Sequence, residues 1–243
     1  MNKLIAYHGD RALKERVINE LAKHREADQI IKGTYWEDGK GCAVGCVIKC
    51  GDYSLYESEF GIPESLARLE DRIFEELENP LSQLWPERFM SAINVGADLS
   101  KVHLKFMHWL LTDFQKLKNC DDASVNAAID QCRTGIANVA LLLNRCIHDD
   151  VVSGNEWAVA REATWEAAAE ATWGAERAAA WAAAEAAWAA AGAAGAAWAA
   201  AREATWEAER AAAEAAALAV AREATWEAMA DKLIGLIQEC KSS

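Results

Sequence analysis

The chain has 243 residues, a net charge of -13 and five histidines. It has no polybasic run, which argues against duplex nucleic acid or an anionic membrane surface as the main partner. Seven cysteines, an odd number set inside apolar patterns, and a start (MNKLIAYHGD) without a signal-peptide core point to free thiols in a reducing cytoplasm. The longest uncharged stretch, residues 186–201, is Ala, Trp and Gly and too weakly apolar for a membrane span.

Residues 4–7 read as a strand or a lead-in. Asp10 then caps a helix running to Ala27, with Leu13, Val17 and Leu21 on one face. The next stretch, Gly33 to Cys50 (GTYWEDGKGCAVGCVIKC), crowds reactive, aromatic and glycine residues together outside any helical pattern, and it is the candidate site.

Tyr35 and Trp36 offer flat stacking surfaces, Lys40 a cation, and Gly39 and Gly41 close backbone approach. Cys42 opens an apolar run. If that run is a helix, the preferred reading, the thiol sits near a helix N-terminus, where the dipole lowers its pKa. As a strand, Cys42, Val44, Cys46, Ile48 and Cys50 would instead share one buried face. The spacing of Cys42, Cys46 and Cys50 lacks the second ligand couple of a structural zinc site, so neither metal nor cofactor is expected, and plain packing of the cysteines is the favoured reading.

A polar loop is expected around 51–59. Pro63, with Ile62, Leu66, Leu69, Ile73 and Leu77 at spacings of 3 and 4, marks a helix that Asn79-Pro80 stops. Pro86 is expected to open a short helix carrying Phe89, Met90 and Ile93 and closed by Gly96. Asp98 or Ser100 caps the next, with Val102, Phe106, Trp109, Leu110 and Leu117 as its apolar face. His103 and His108 point apart on it and do not chelate one metal. From Asp121 or Ser124 a longer helix carries a seam of Val125, Ile129, Cys132, Ile136, Val139, Leu143 and Cys146, suited to another helix or a dimer partner. Within it, Gly135 suggests close helix approach.

Ser153-Gly154 mark a boundary, giving an N-terminal helical domain over 1–150, with the site at 33–50, and an alanine- and tryptophan-rich domain over 151–243. The octapeptide AREATWEA recurs at Ala160, Ala201 and Ala221. Trp157, Trp165, Trp173 and Trp181, eight apart, would spiral round a single rod, so at least two antiparallel helices with buried indoles are expected. Residues 231–240 restore ordinary patterning and should dock the tail as its cap.

The pieces GTYWEDGKGCAVGC (33–46), GIPESLARLEDRIFE (61–75), WPERF (85–89), GADLS (96–100) and the Ala/Trp-rich half together resemble a group of uncharacterised bacteriophage and prophage proteins. The resemblance implies a setting and carries over no catalytic residue.

The resulting expectation is an all-α, phage-type cytoplasmic binding protein. It would sequester a small, nucleotide-like ligand or block a host defence protein, with Tyr35, Trp36, Lys40 and Cys42 as ligand-binding residues. The rival is a cysteine-dependent enzyme using Cys42 with His8 or His103. A third reading is a structural helical homo-oligomer.

Overall fold

The computed structural model describes residues 4–114, 123–157, 159–160 and 225–242. It is all-α: α1 (Arg11–Glu26), α2 (Ala43–Ile48), α3 (Leu55–Phe60), α4 (Glu64–Glu76), α5 (Leu81–Ala92), α6 (Val102–Trp109) and α7 (Ala123–Ile147) are followed by α8 over 225–238. Among the described residues there is no strand, only isolated bridges. No described helix is long and apolar enough to cross a membrane.

Packing divides the chain into two compact units, one running up to Phe106 and including α8, the other starting at Met107. In the first, α5 lies against α1 and α4, and α2 touches both α1 and α4. Leu21, Phe74, Trp85 and Phe89 fill the space between them, each essentially inaccessible to water. Asp10 caps α1 as its sequence position predicts, its carboxylate accepting the Ala12 amide at 2.8 Å. The segment before it is a lead-in: Ala6 exchanges backbone hydrogen bonds with Gly96 and Ala97, both at 2.9 Å.

Two sequence expectations are corrected here. Residues 55–60 form helix α3 within the expected polar loop, because burying Tyr56 and Phe60 holds a turn and a half that is too short to show periodicity. Helix α5 starts at Leu81, and Pro86 lies buried inside it. Proline's fixed φ suits a helix, and its cost there, a missing hydrogen bond and a clash with the preceding turn, is offset by burial of the neighbouring Trp85, Phe89 and Met90.

Helix α8, whose residues 231–240 are expected to dock the tail as its cap, packs on this unit; the tail it would cap lies outside the described residues. Leu233 and Ile237 are fully buried, Arg88 pairs with Asp231 at 2.6 Å, and Asn94 donates to the Cys240 carbonyl at 3.0 Å. Asp98 accepts the Ser100 amide just ahead of α6, on which Val102 and Phe106 are buried. The expected continuation to Leu117 is a wider turn over Leu110–Phe114 within the described residues.

In the second unit that turn packs on α7. Of the α7 seam, Leu143 is buried and Ile136, Val139 and Cys146 half-buried; the side chains of Val125, Ile129 and Cys132 lie outside the described residues. Arg145 then joins Asp150 at 3.0 Å and Glu156 at 2.6 Å. The expected tryptophan hairpin falls outside the described residues, Trp157 and Trp226 excepted.

Candidate functional site

The segment after α1 is a loop folded back on its own backbone. Ile31 and Gly41 are joined through the Ile31 amide at 2.8 Å, and Gly41 donates to the Gln29 carbonyl at 3.0 Å. Between them Glu37 and Lys40 close a two-residue turn at 2.8 and 2.9 Å, in which Asp38 and Gly39 both have positive φ (48° and 81°). Asp-Gly is the favoured pair for such a turn. It was present in the sequence as a hairpin signal.

The remaining glycines serve close approach. A Cβ on Gly41 would lie 2.1 Å from the Tyr35 carbonyl oxygen, and one on Gly45 only 1.4 Å from it. A Cβ on Gly51 would lie 2.9 Å from the Tyr35 ring. The Tyr35 backbone is thereby pressed onto the first turn of α2, and the Cys42 amide donates to the Thr34 carbonyl at 2.7 Å. Tyr35 nonetheless leaves 49% of its surface exposed. Its ring meets Tyr53 edge-on at 5.9 Å.

The two tyrosine hydroxyls stand 3.1 Å apart, and Tyr53 donates to Asp71 Oδ2 at 2.6 Å. The Arg68 guanidinium covers the Tyr53 ring at 4.5 Å. Trp36 is half-buried against His24, edge to face at 5.4 Å, and Lys40 is exposed.

The preferred helical reading of the cysteine run holds, but α2 is only six residues long and Cys50 lies beyond it. Cys42 is its N-cap, with Sγ accepting the Gly45 amide at 3.5 Å. The expected lowering of its pKa does not follow. Burial drives the Cys42 thiol far above its ordinary range; the Gly45 amide opposes this, while Asp71 and Glu70 add to it. Burial likewise pushes Cys46 up to about 12. Of the proposed partner histidines, His8 Nε2 lies 3.2 Å from the Ser58 carbonyl, and His103, half-buried on α6, has its pKa lowered by desolvation.

Sequence reasoning missed the acids of α4. Glu70 is fully buried and Asp71 is 8% exposed. Glu70 Oε2 meets the Tyr56 hydroxyl at 3.4 Å, whereas Glu70 Oε1 and Asp71 Oδ1 are buried without a hydrogen-bond partner. Glu75 accepts the Gly33 amide at 3.0 and 3.1 Å through its two oxygens. Cys42, Asp71 and Glu75 each offer one ligand atom, and these three lie within 4.8 Å of one another. A signal was available: Leu66, Glu70, Ile73 and Leu77 recur at 4, 3 and 4, so Glu70 occupies the apolar stripe itself.

Burial, then the Asp71 charge, holds the Glu70 carboxyl well above the ordinary carboxylate range, with Tyr56 opposing. The folded protein keeps a proton that the unfolded chain releases above pH about 4.3. Stability should therefore fall as pH rises from that value toward the folded pKa, because the folded state binds the extra proton. Glu70→Gln, neutral throughout, is expected to flatten this fall. Urea midpoints of both proteins from about pH 5 to 8 check it; parallel slopes would contradict a protonated Glu70.

The site thus defines a helical protein presenting an aromatic loop above a buried carboxylate–thiol cluster. No protein-family model, curated protein or solved structure matches the chain.

Proposed function

We propose that this chain is a phage-type binding protein acting in the host cytoplasm, where it blocks a host defence protein through the loop that carries Tyr35 and Lys40. The observation that supports this reading is the seating of Tyr35. Its backbone is clamped on Gly41 and Gly45 while half the residue's surface stays exposed. An aromatic ordered before binding loses little entropy on association, which is what a contact hot spot needs. Exposed Lys40 on the same loop adds charge for steering. Asp71, bonded to the Tyr53 hydroxyl, disfavours a nucleotide's phosphates, so a protein surface suits the face better than a nucleotide-like ligand. The phage setting comes from the sequence resemblance.

The test is phage plating on bacteria that carry single defence systems and express this protein. Wild type is expected to restore plating against one system, with Tyr35→Ala and Lys40→Ala each weakening binding to the protected component by about tenfold, or 1.4 kcal/mol. Both variants binding at full strength would overturn this interface. The thiol-enzyme alternative has its own readout. Iodoacetamide at neutral pH should modify half-buried Cys50 ahead of buried Cys42 and Cys46. Fast, selective labelling of Cys42 with loss of protection would favour the enzyme.

A further inference from the structure

We infer that Cys42, Asp71 and Glu75 form a binding site for one divalent transition-metal ion of the zinc type. Three observations converge on it. The first is proximity: their ligand atoms lie within 4.8 Å of one another, and ligand atoms round a tetrahedral zinc lie roughly 3–4 Å apart. Small side-chain rotations close the difference, with half-buried Glu75 the freest to move.

The second is an unmet need. Asp71, on the buried side of α4, spends Oδ2 on Tyr53; its Oδ1 is buried with no nitrogen or oxygen donor, and the carboxylate lies beside the Cys42 thiol. A buried carboxylate oxygen that lacks such a donor is costly, and a cation removes that cost.

The third is the outer shell. Each candidate ligand is oriented by a donor and keeps other lone pairs: Gly45 N–H to Cys42 Sγ at 3.5 Å, Tyr53 O–H to Asp71 Oδ2 at 2.6 Å, and Gly33 N–H shared by the two Glu75 oxygens at 3.0 and 3.1 Å. Such donors orient metal ligands and tune their affinity.

The donor set chooses the metal. One thiolate with two carboxylates favours zinc or cobalt over magnesium and calcium, which take oxygen ligands alone. On binding, the S–H bond of Cys42 breaks, its proton passes to solvent, and the sulfur lone pair forms the bond to the metal. Three protein ligands leave a fourth position for water or a group from outside. This assignment is independent of the role given to Tyr35.

The test is titration of the chelator-stripped full chain with cobalt, followed by displacement with zinc. Wild type is expected to develop a thiolate-to-cobalt charge-transfer band at one equivalent and to lose it on adding zinc. Cys42→Ser should abolish the band and Cys50→Ala should keep it, while Asp71→Asn and Glu75→Gln weaken zinc binding at least about tenfold. Circular dichroism confirms that each variant is folded. No band in folded wild type, a band that survives Cys42→Ser, or a thermal shift with magnesium and none with zinc would each overturn the assignment.

Discussion

Gly45→Ala is expected to destabilise the first unit by on the order of 3 kcal/mol or more, the upper end of what overpacking costs. The added Cβ would sit 1.4 Å from the Tyr35 carbonyl oxygen and 2.5 Å from its carbon. The obstacle is backbone, so no rotamer change relieves it: either α2 moves away from the loop or the loop leaves α2. Tyr35 has its ring on Gly51 and its neighbour's carbonyl bonded to the Cys42 amide, so releasing it should disorder the whole 33–41 loop. Gly235→Ala supplies the contrast. It lies within α8 with nothing inside 4 Å of the new methyl, so alanine's better helix propensity should leave stability unchanged or raise it by up to about 1 kcal/mol. Urea unfolding followed by circular dichroism compares the two. Equal midpoints for Gly45→Ala and wild type would mean that the Tyr35 carbonyl does not rest on α2.

Trp85→Ala is expected to cost about 3–5 kcal/mol, the range for deleting a fully buried aromatic from a core. Trp85 is 1% exposed, packs on Phe89 at 5.9 Å, and donates its indole N–H to the Glu70 carbonyl at 2.9 Å. That bond ties α5 to the turn of α4 that carries Glu70 and Asp71, so the loss should reach the site as well as the core. Trp85→Phe keeps much of the apolar volume and loses the hydrogen bond, with an expected cost nearer 1–2 kcal/mol. A shift in midpoint at constant slope reads both values. Equal costs for Ala and Phe would show that the hydrogen bond, and not packing, carries the contribution of Trp85.

The two substitutions mark how differently the two halves of the site are written in the sequence. The loop carries local signals: Asp38-Gly39 for the turn, and glycines at 41 and 45 where the chain has to come close to itself. A reading of residues 33–50 could single it out because local crowding of glycine and aromatic residues needs no partner to be visible. Of the acids only Glu70 carries a mark, its place in the apolar stripe of α4. Asp71 and Glu75 sit in a helix whose other acids, Glu64 and Glu76, pair with Arg68 and Arg72 four residues away. Nothing in composition separates Asp71 and Glu75 from those.

The sequence by itself determined that the chain is helical, where α1 and α4 begin, and that residues 231–240 carry a face to dock. Each of these follows from periodicity and capping, which act within a few residues. It also placed Cys42 at the head of a helix. What that position does to the thiol was decided by tertiary structure alone. The N-terminal amide of a six-residue helix favours a thiolate only weakly, whereas packing α2 against α4 removes water and brings Asp71 and Glu70 alongside, and desolvation outweighs the single amide. Pro86 within α5 and the helix at 55–60 have the same origin. Long-range burial decided them against local preference, and burial depends on which distant residues arrive.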